Sequence, residues 1–220
     1  DGSFSPDGSR LAYSTTNNGI WILDLSTGQT TAVPGTGNGD FNPMWSPDGK
    51  QFVFNRGMGI FDLFLVQPDG ENLRQITHGG VQEWPVGWLP DGQHLLYTVP
   101  GRENEYTVYK VDVQSGESEM TSSLNTESLS PDSSHILTSE KTFGDRWLVY
   151  ISDMDGANRW LLNDSNLWVM TPVWSPDGQW LIAAVADTEP ASAIGALIDL
   201  RTCQVFPLPH LRGNILAWTP

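Results

Sequence analysis

The sequence predicts an all-β fold, specifically a β-propeller, from three observations. A four-residue turn motif recurs along the chain, each copy lies between short apolar runs, and no segment keeps a helical period. The copies lie at residues 5–8, 46–49, 89–92, 130–133 and 175–178, with a truncated copy at 218–220. Their prolines follow one another at steps of 41, 43, 41, 45 and 44 residues, a period typical of repeat architectures.

The motif is clearest at Ser46-Pro47-Asp48-Gly49. Proline presets φ for a type I turn, aspartate bonds nearby backbone, and glycine takes the left-handed position that closes a hairpin. Each copy is therefore predicted to join two antiparallel strands. The motif aspartates are interpreted as turn formers rather than as catalytic or metal-binding groups; they are Asp7, Asp48, Asp91, Asp132 and Asp177.

Each repeat is predicted to contain four strands. The first has 2–5, 10–14, 19–25 and 30–34, and the second has 42–46, 51–55, 61–67 and 74–77. The third has 86–88, 94–99, 107–113 and 117–121, with a bulge at Gly87. The fourth has 127–129, 135–139, 147–153 and 159–162, and the fifth has 172–174, 180–186, 196–200 and 204–208.

Four-stranded units of this period stack radially, which makes the fold a propeller. A large apolar residue before each turn is predicted to pack between neighbouring blades; these residues are Phe4, Trp45, Trp88, Leu129, Trp174 and Trp218. Five repeats are visible, plus the first strand of a sixth at 214–218, so a six-bladed ring is favoured over a five-bladed one. Residues 1–220 are interpreted as one propeller domain, complete or part of a longer chain.

The composition excludes several function classes. A net charge of −15, from 26 acidic and 11 basic residues, disfavours nucleic acid as a partner. The single Cys203, in a turn where other repeats have glycine, excludes an internal disulfide and a cysteine zinc site. No apolar run reaches the roughly 18 residues of a membrane helix, so no direct membrane span is expected. The four histidines show no metal spacing, and we expect neither a metal nor a cofactor.

The repeat resembles a known family. The S-P-D-G turn, the strand at 61–66, a D-G turn and the ending Gln75-Ile76-Thr77 are similar to the PD40 repeat, a WD40-like repeat of TolB-type β-propellers. The resemblance covers essentially the whole chain. It implies a propeller that serves protein–protein interaction as an accessory subunit or scaffold of a larger extracytoplasmic assembly, in the periplasm or outside the cell. TolB itself also has a separate amino-terminal domain, which is absent from these residues.

The irregular connections of the propeller, opposite the turn motifs, are where binding is expected. Four arginines fall there, and we hypothesise that they surround the channel mouth and bind an acidic peptide segment or a carboxylate: Arg56, Arg102, Arg146 and Arg212. The alternative is that they pair with Glu103, Asp145 and neighbouring carboxylates. Trp84 and Trp168 lie in the same loops, where they either belong to a protein-binding patch or cap the channel.

No catalytic residues are assigned. The chain has no G-x-S-x-G nucleophile elbow, so a prolyl-oligopeptidase-type enzyme would have its hydrolase domain outside this chain. A carbohydrate-active enzyme that uses paired carboxylates, such as Glu103 and Glu105, is the other alternative. We expect a non-catalytic protein-binding propeller, and we leave small-molecule ligands open.

Overall fold

The structure of the protein is a computed structural model. It describes residues 2–16, 18–101, 106–122, 125–141, 147–153, 158–162, 168–186, 193–202 and 204–208. The chain divides into two compact units, Asp1–Ser123 and Leu124–Pro220.

The first unit contains three sheets, each of four antiparallel strands in chain order. The first sheet consists of β1 (Gly2–Phe4), β2 (Arg10–Thr15), β3 (Gly19–Asp24) and β4 (Thr30–Ala32). The second consists of β5 (Asp40–Trp45), β6 (Phe52–Met58), β7 (Ile60–Val66) and β8 (Arg74–Gln75). The third consists of β9 (Trp84–Trp88), β10 (His94–Pro100), β11 (Tyr106–Asp112) and β12 (Ser118–Ser122).

The second unit contains two sheets of the same kind. The fourth sheet consists of β13 (Asn125–Leu129), β14 (His135–Lys141), β15 (Trp147–Asp153) and β16 (Trp160–Leu161). The fifth consists of β17 (Trp168–Trp174), β18 (Trp180–Ala186), β19 (Ile194–Asp199) and β20 (Gln204–Leu208). The described residues thus form the five four-stranded sheets that the repeats predict. The strand expected at 214–218 lies outside them, as does Cys203.

Each sheet has two different ends because its strands run antiparallel. At one end, which we call the turn end, lie the motif turn and the turn between the third and fourth strands. At the other, the irregular end, lie the hairpin between the second and third strands and the connection to the next sheet. The predicted binding residues Arg56 and Trp84 both lie at the irregular end.

The predicted motif forms a hydrogen-bonded turn in every sheet. In the second sheet, the amide of Gly49 donates to the carbonyl of Ser46 at 2.9 Å, and Gly49 has a φ of 67°. The Asp48 carboxylate accepts bonds from Ser46 Oγ at 2.7 Å and from Lys50 N at 3.1 Å. In the fourth sheet, Ser133 adopts the left-handed φ of 54° without being glycine. The motif aspartates are turn formers, as predicted.

Large apolar residues before the turns pack between neighbouring sheets. Trp45 lies in a buried cluster with the first and second sheets, and Trp88 lies in one with the second and third. In the second unit, Trp174 lies in the cluster that joins the fourth and fifth sheets. The prediction is confirmed for these three. It was wrong for Phe4, which is 39% exposed and lies in none of these clusters. Leu129 is half-buried and also lies outside the clusters, and Trp218 is not among the described residues.

First strands of the second to fifth sheets begin earlier than predicted. They start at residues 40, 84, 125 and 168, against 42, 86, 127 and 172 expected from the pattern. All four contain a register shift, and the bulge predicted beside Gly87 is one of them. The extra residue at a bulge reverses which side chains face inward. A search for strict period-2 alternation therefore misses the part of the strand that precedes the bulge.

Two expected loop positions are therefore corrected. Trp84 and Trp168, predicted to lie in loops, are the first residues of β9 and β17. The loop expected at 55–59 is instead a tight hairpin, because β6 continues to Met58 and β7 begins at Ile60. Within the described ranges, no helix has the length and apolarity needed to cross a membrane.

Candidate functional site

Arg56, at the irregular end of β6, is held by a buried carboxylate. Its Nε and Nη2 donate to Oδ1 and Oδ2 of Asp40, both at 2.7 Å, and Nη2 also donates to the Gly35 carbonyl at 2.8 Å. The guanidinium lies over the rings of Phe54 and Phe64, at 5.2 and 4.8 Å from their centroids. The hydrogen bonds and charge of Asp40 raise the pKa of Arg56. Asp40 thus occupies the guanidinium donors of Arg56 that were expected to bind an acidic ligand.

Most of the other predicted site residues lie outside the described part of the chain. They are Arg102, Arg146 and Arg212, together with Glu103, Glu105 and Asp145. For Trp168, only the backbone position at the start of β17 is described. A ring of arginines at this end of the sheets therefore stays a prediction.

Trp84 belongs to a cluster of three aromatic rings. Its ring meets Phe61 edge to face, with centroids 4.7 Å apart, and Phe41 at 6.1 Å. Phe41 and Phe61 themselves lie 5.1 Å apart, also edge to face. These contacts fix the Trp84 indole from one side and leave 38% of the residue exposed.

The hairpin between β6 and β7 presents two exposed apolar side chains at its tip, at the same irregular end as Trp84. Met58 is 74% exposed and Ile60 is 58% exposed, on either side of Gly59. The hairpin is tied to the segment before β9, because Gln82 Nε2 donates to the Gly59 carbonyl at 2.8 Å. An isolated parallel bridge between Phe61 and Gln82 adds a second link.

Four exposed apolar side chains at the irregular end of the second and third sheets are together called the apolar patch: Met58, Ile60, Val81 and Trp84. Val81 lies in the segment between β8 and β9 that the hairpin contacts, and it is 38% exposed. Exposed apolar side chains at one end of a fold, one of them a tryptophan anchored on other rings, are typical of protein-binding surfaces.

A buried acid, Glu83, lies directly before Trp84 and is only 1% exposed. The Thr77 hydroxyl donates to its Oε2, and Asn55 Nδ2 donates to its backbone carbonyl at 2.5 Å. Thr77 Oγ1 in turn accepts a bond from the amide of Leu63 at 2.9 Å. Burial raises the pKa of Glu83; the bond from Thr77 opposes this shift, and the negative charge of Asp62 adds to it.

A polar cleft of about 520 Å³ lies in the third sheet, away from the apolar patch. It is lined by His94, Lys110, Asp112, Glu117, Ser118 and Glu119. Its two basic groups are already paired: Lys110 Nζ lies 2.5 Å from Glu119 Oε1, and His94 Nδ1 lies 2.7 Å from Asp91 Oδ2. In the described part of the chain, no three His, Cys, Asp or Glu side chains are placed to hold a metal ion.

Sequence reasoning missed Met58, Ile60, Val81 and Glu83. A signal for Glu83 was present, since it lies five residues before Trp88, as the buried Asp40 lies five residues before Trp45. The three aliphatic residues gave no such signal, because isolated apolar residues in loops are common.

Comparison with known protein families identifies the repeats. Residues 2–146, more than half of the chain, match the family model described as PD40, the TolB β-propeller domain. The chain belongs to this family. The five four-stranded sheets and the S-P-D-G turns are thus those of a TolB-type propeller, and the resemblance seen in the sequence is confirmed.

Two curated relatives of this TolB-type propeller are named for different classes of protein, one as a peptidase and one as a TolB homolog. The uncharacterized peptidase YuxL of Bacillus subtilis is 28% identical over 214 residues, which cover 87% of this chain and 30% of YuxL. The TolB homolog of Chlorobium luteolum is 30% identical over 118 residues, covering 52% of this chain and 27% of that protein. The chain therefore spans less than a third of the length of either relative.

Among solved structures, TolB from Acinetobacter baumannii superposes on this chain with a TM-score of 0.78 at 23% identity. The match covers 99% of this chain and 56% of the TolB chain. This similarity establishes the β-propeller fold and no binding partner or chemistry, because one fold serves many functions.

Proposed function

We propose that this TolB-type propeller is a non-catalytic protein-binding module, an accessory subunit of an extracytoplasmic assembly, and that the apolar patch is its contact surface. The observation that carries the proposal is the exposure of Met58 and Ile60 on a hairpin that is bonded to its neighbours. A large apolar side chain held in water by a rigid backbone loses little conformational entropy when a partner covers it.

The pairing of Arg56 with Asp40 argues against the acidic ligand that the sequence suggested for this arginine. Because the Asp40 carboxylate occupies the guanidinium donors, we assign Arg56 to packing on Phe54 and Phe64 rather than to an acidic ligand. The chain as a whole carries a net charge of −15, which speeds association with positively charged partners. The contact is therefore expected to be mainly apolar and to be assisted by long-range charge.

Site-specific photo-crosslinking in the native host tests this proposal. A benzophenone amino acid at Ile60 should give a discrete adduct with one protein, and the adduct should disappear when Met58→Ser is added. Leu25 provides a matched control, since it is 45% exposed but lies at the turn end of the first sheet. Equal adducts from both positions, or none from Ile60, would contradict the proposal.

A second candidate function is the propeller of a peptidase, which the match to YuxL over 87% of this chain favours. In that case, the contact surface would meet a hydrolase domain rather than a separate protein. The 220 residues contain no G-x-S-x-G motif, so the nucleophile would lie outside them. Labelling of the full-length native protein with a fluorophosphonate probe separates the two candidates, because only the peptidase would react.

A further inference from the structure

Asp40 and Glu83 occupy equivalent positions in consecutive repeats, but only Asp40 has a cation. Each lies five residues before the tryptophan that precedes the turn motif, and each is buried. Asp40 is neutralised by Arg56, which lies nine residues after the turn proline. The corresponding residue of the next repeat is Val99. Within the described part of the chain, Glu83 is therefore a buried acid without a counter-charge.

The surroundings of Glu83 favour its neutral form. The negative charge of Asp62 on β7 opposes ionisation of Glu83. Tyr97 on β10 also interacts with Glu83, but it is neutral, and the charge of Glu83 raises the Tyr97 pKa further. The Thr77 hydroxyl donates to one carboxyl oxygen, and the Gly79 backbone lies against the other; both hydrogen bonds lower the pKa of Glu83 but do not cancel the effect of burial. Burial and the Asp62 charge together raise the pKa of Glu83, which favours the neutral acid.

Movement of Glu83 would move the apolar patch. Its amide donates to the Phe61 carbonyl at 3.2 Å, and its side chain fixes the start of the segment 78–83, which carries Val81 and leads into Trp84. The segment also contains Gly80, with a φ of 63°. Ionisation would place a charge without a cation in a buried site, and the least costly relief is outward movement of this segment, which hydrates the carboxylate.

We infer that Glu83 is a proton-controlled latch, which holds Val81 and Trp84 in their patch positions while it is neutral and releases the segment 78–84 when it ionises. This inference concerns the regulation of the surface named above and rests on that proposal for its biological use. The latch itself is testable without a partner.

Fluorine NMR of the full chain labelled with 5-fluorotryptophan tests the latch. Trp84→Phe assigns the Trp84 resonance, which is then followed from pH 8 down to pH 5. The wild-type resonance should titrate with a midpoint above the ordinary glutamate range. It should stay at its low-pH position in Glu83→Gln, which copies the neutral acid and is expected to fold. Asp62→Asn should move the midpoint to lower pH, because it removes the negative charge that opposes ionisation.

Glu71→Gln, a change at an exposed turn residue, is the matched control and should leave the titration of Trp84 unchanged. A Trp84 resonance that does not respond to pH, or that titrates equally in Glu83→Gln, would overturn the latch. Met58→Ser keeps Glu83 and should titrate normally while losing the adduct from the benzophenone amino acid at Ile60. A normal titration with no adduct from Ile60 would support the latch and reject the binding function; an adduct without the titration would do the reverse.

Discussion

Replacement of Arg56 by alanine should destabilise the first unit strongly. The Asp40 side chain is 1% exposed and would lose both 2.7 Å bonds, so its charge would stay buried without a cation and with only the Gly37 amide, at 2.8 Å, as a donor. Removal of one member of a buried pair costs about 3–5 kcal/mol. Because the Arg56 side chain is 31% exposed, solvent screens the ion pair and reduces its contribution to stability. We therefore expect a loss of about 3 kcal/mol in unfolding free energy, the lower end of this range.

Urea denaturation followed by circular dichroism measures this loss, and thermal unfolding should show a midpoint lower by roughly 6–12 °C for a chain of this size. Arg56→Lys keeps the charge but not the fork, and it should fall between wild type and Arg56→Ala. Lys50→Ala is the comparison, since Lys50 and Asp48 form an exposed pair that is worth at most about 1 kcal/mol. A loss below about 1 kcal/mol for Arg56→Ala would refute the structural role and restore the hypothesis of a ligand-binding arginine.

Three further predictions concern the sheets. Trp88→Phe removes the bond from Nε1 to the Met44 carbonyl (3.1 Å) and should cost about 1–2 kcal/mol in urea denaturation. Ser130→Ala should raise the pKa of Asp132 from about 2 towards the ordinary value of 3.8, as measured by carboxyl NMR. Because the Asp132 pKa is depressed in the folded state, Asp132 stabilises the fold above pH 3.8, and this contribution disappears as the pH falls towards 2. Between pH 3.8 and pH 2, the free energy of unfolding should therefore fall less in Ser130→Ala than in the wild type. Gly178→Ala should cost about 1–2 kcal/mol through backbone strain at a φ of 67°, since the nearest atom outside the turn, Pro131 Cδ, is 3.8 Å from the added carbon.

The turns were predictable from the sequence because their chemistry is local. Proline, aspartate and glycine in the motif act on bonds within about five residues, so Asp48 could be assigned to its turn without coordinates. Interior positions such as Trp88 were predictable because a large apolar residue recurs at one repeat position.

The site was less predictable because its contacts join residues that are distant in the chain. Arg56 lies 16 residues from Asp40, and only the bulged register of β5 against β6 places the two side chains opposite each other. The bulge in β9 hid the strand position of Trp84 in the same way. The burial of Glu83 depends on Thr77 and Gly79 from the preceding connection, and its surrounding Gly-rich sequence suggests an exposed loop.

Hydrogen exchange of the native complex, followed by mass spectrometry, tests the central claim most directly. Binding at the apolar patch predicts that amides at 57–61 and 80–84 become protected when the partner is bound, while those of the turn motif at 46–49 do not change. Protection confined to the turn end, or none at the β6–β7 hairpin, would show that the partner binds elsewhere on this TolB-type propeller.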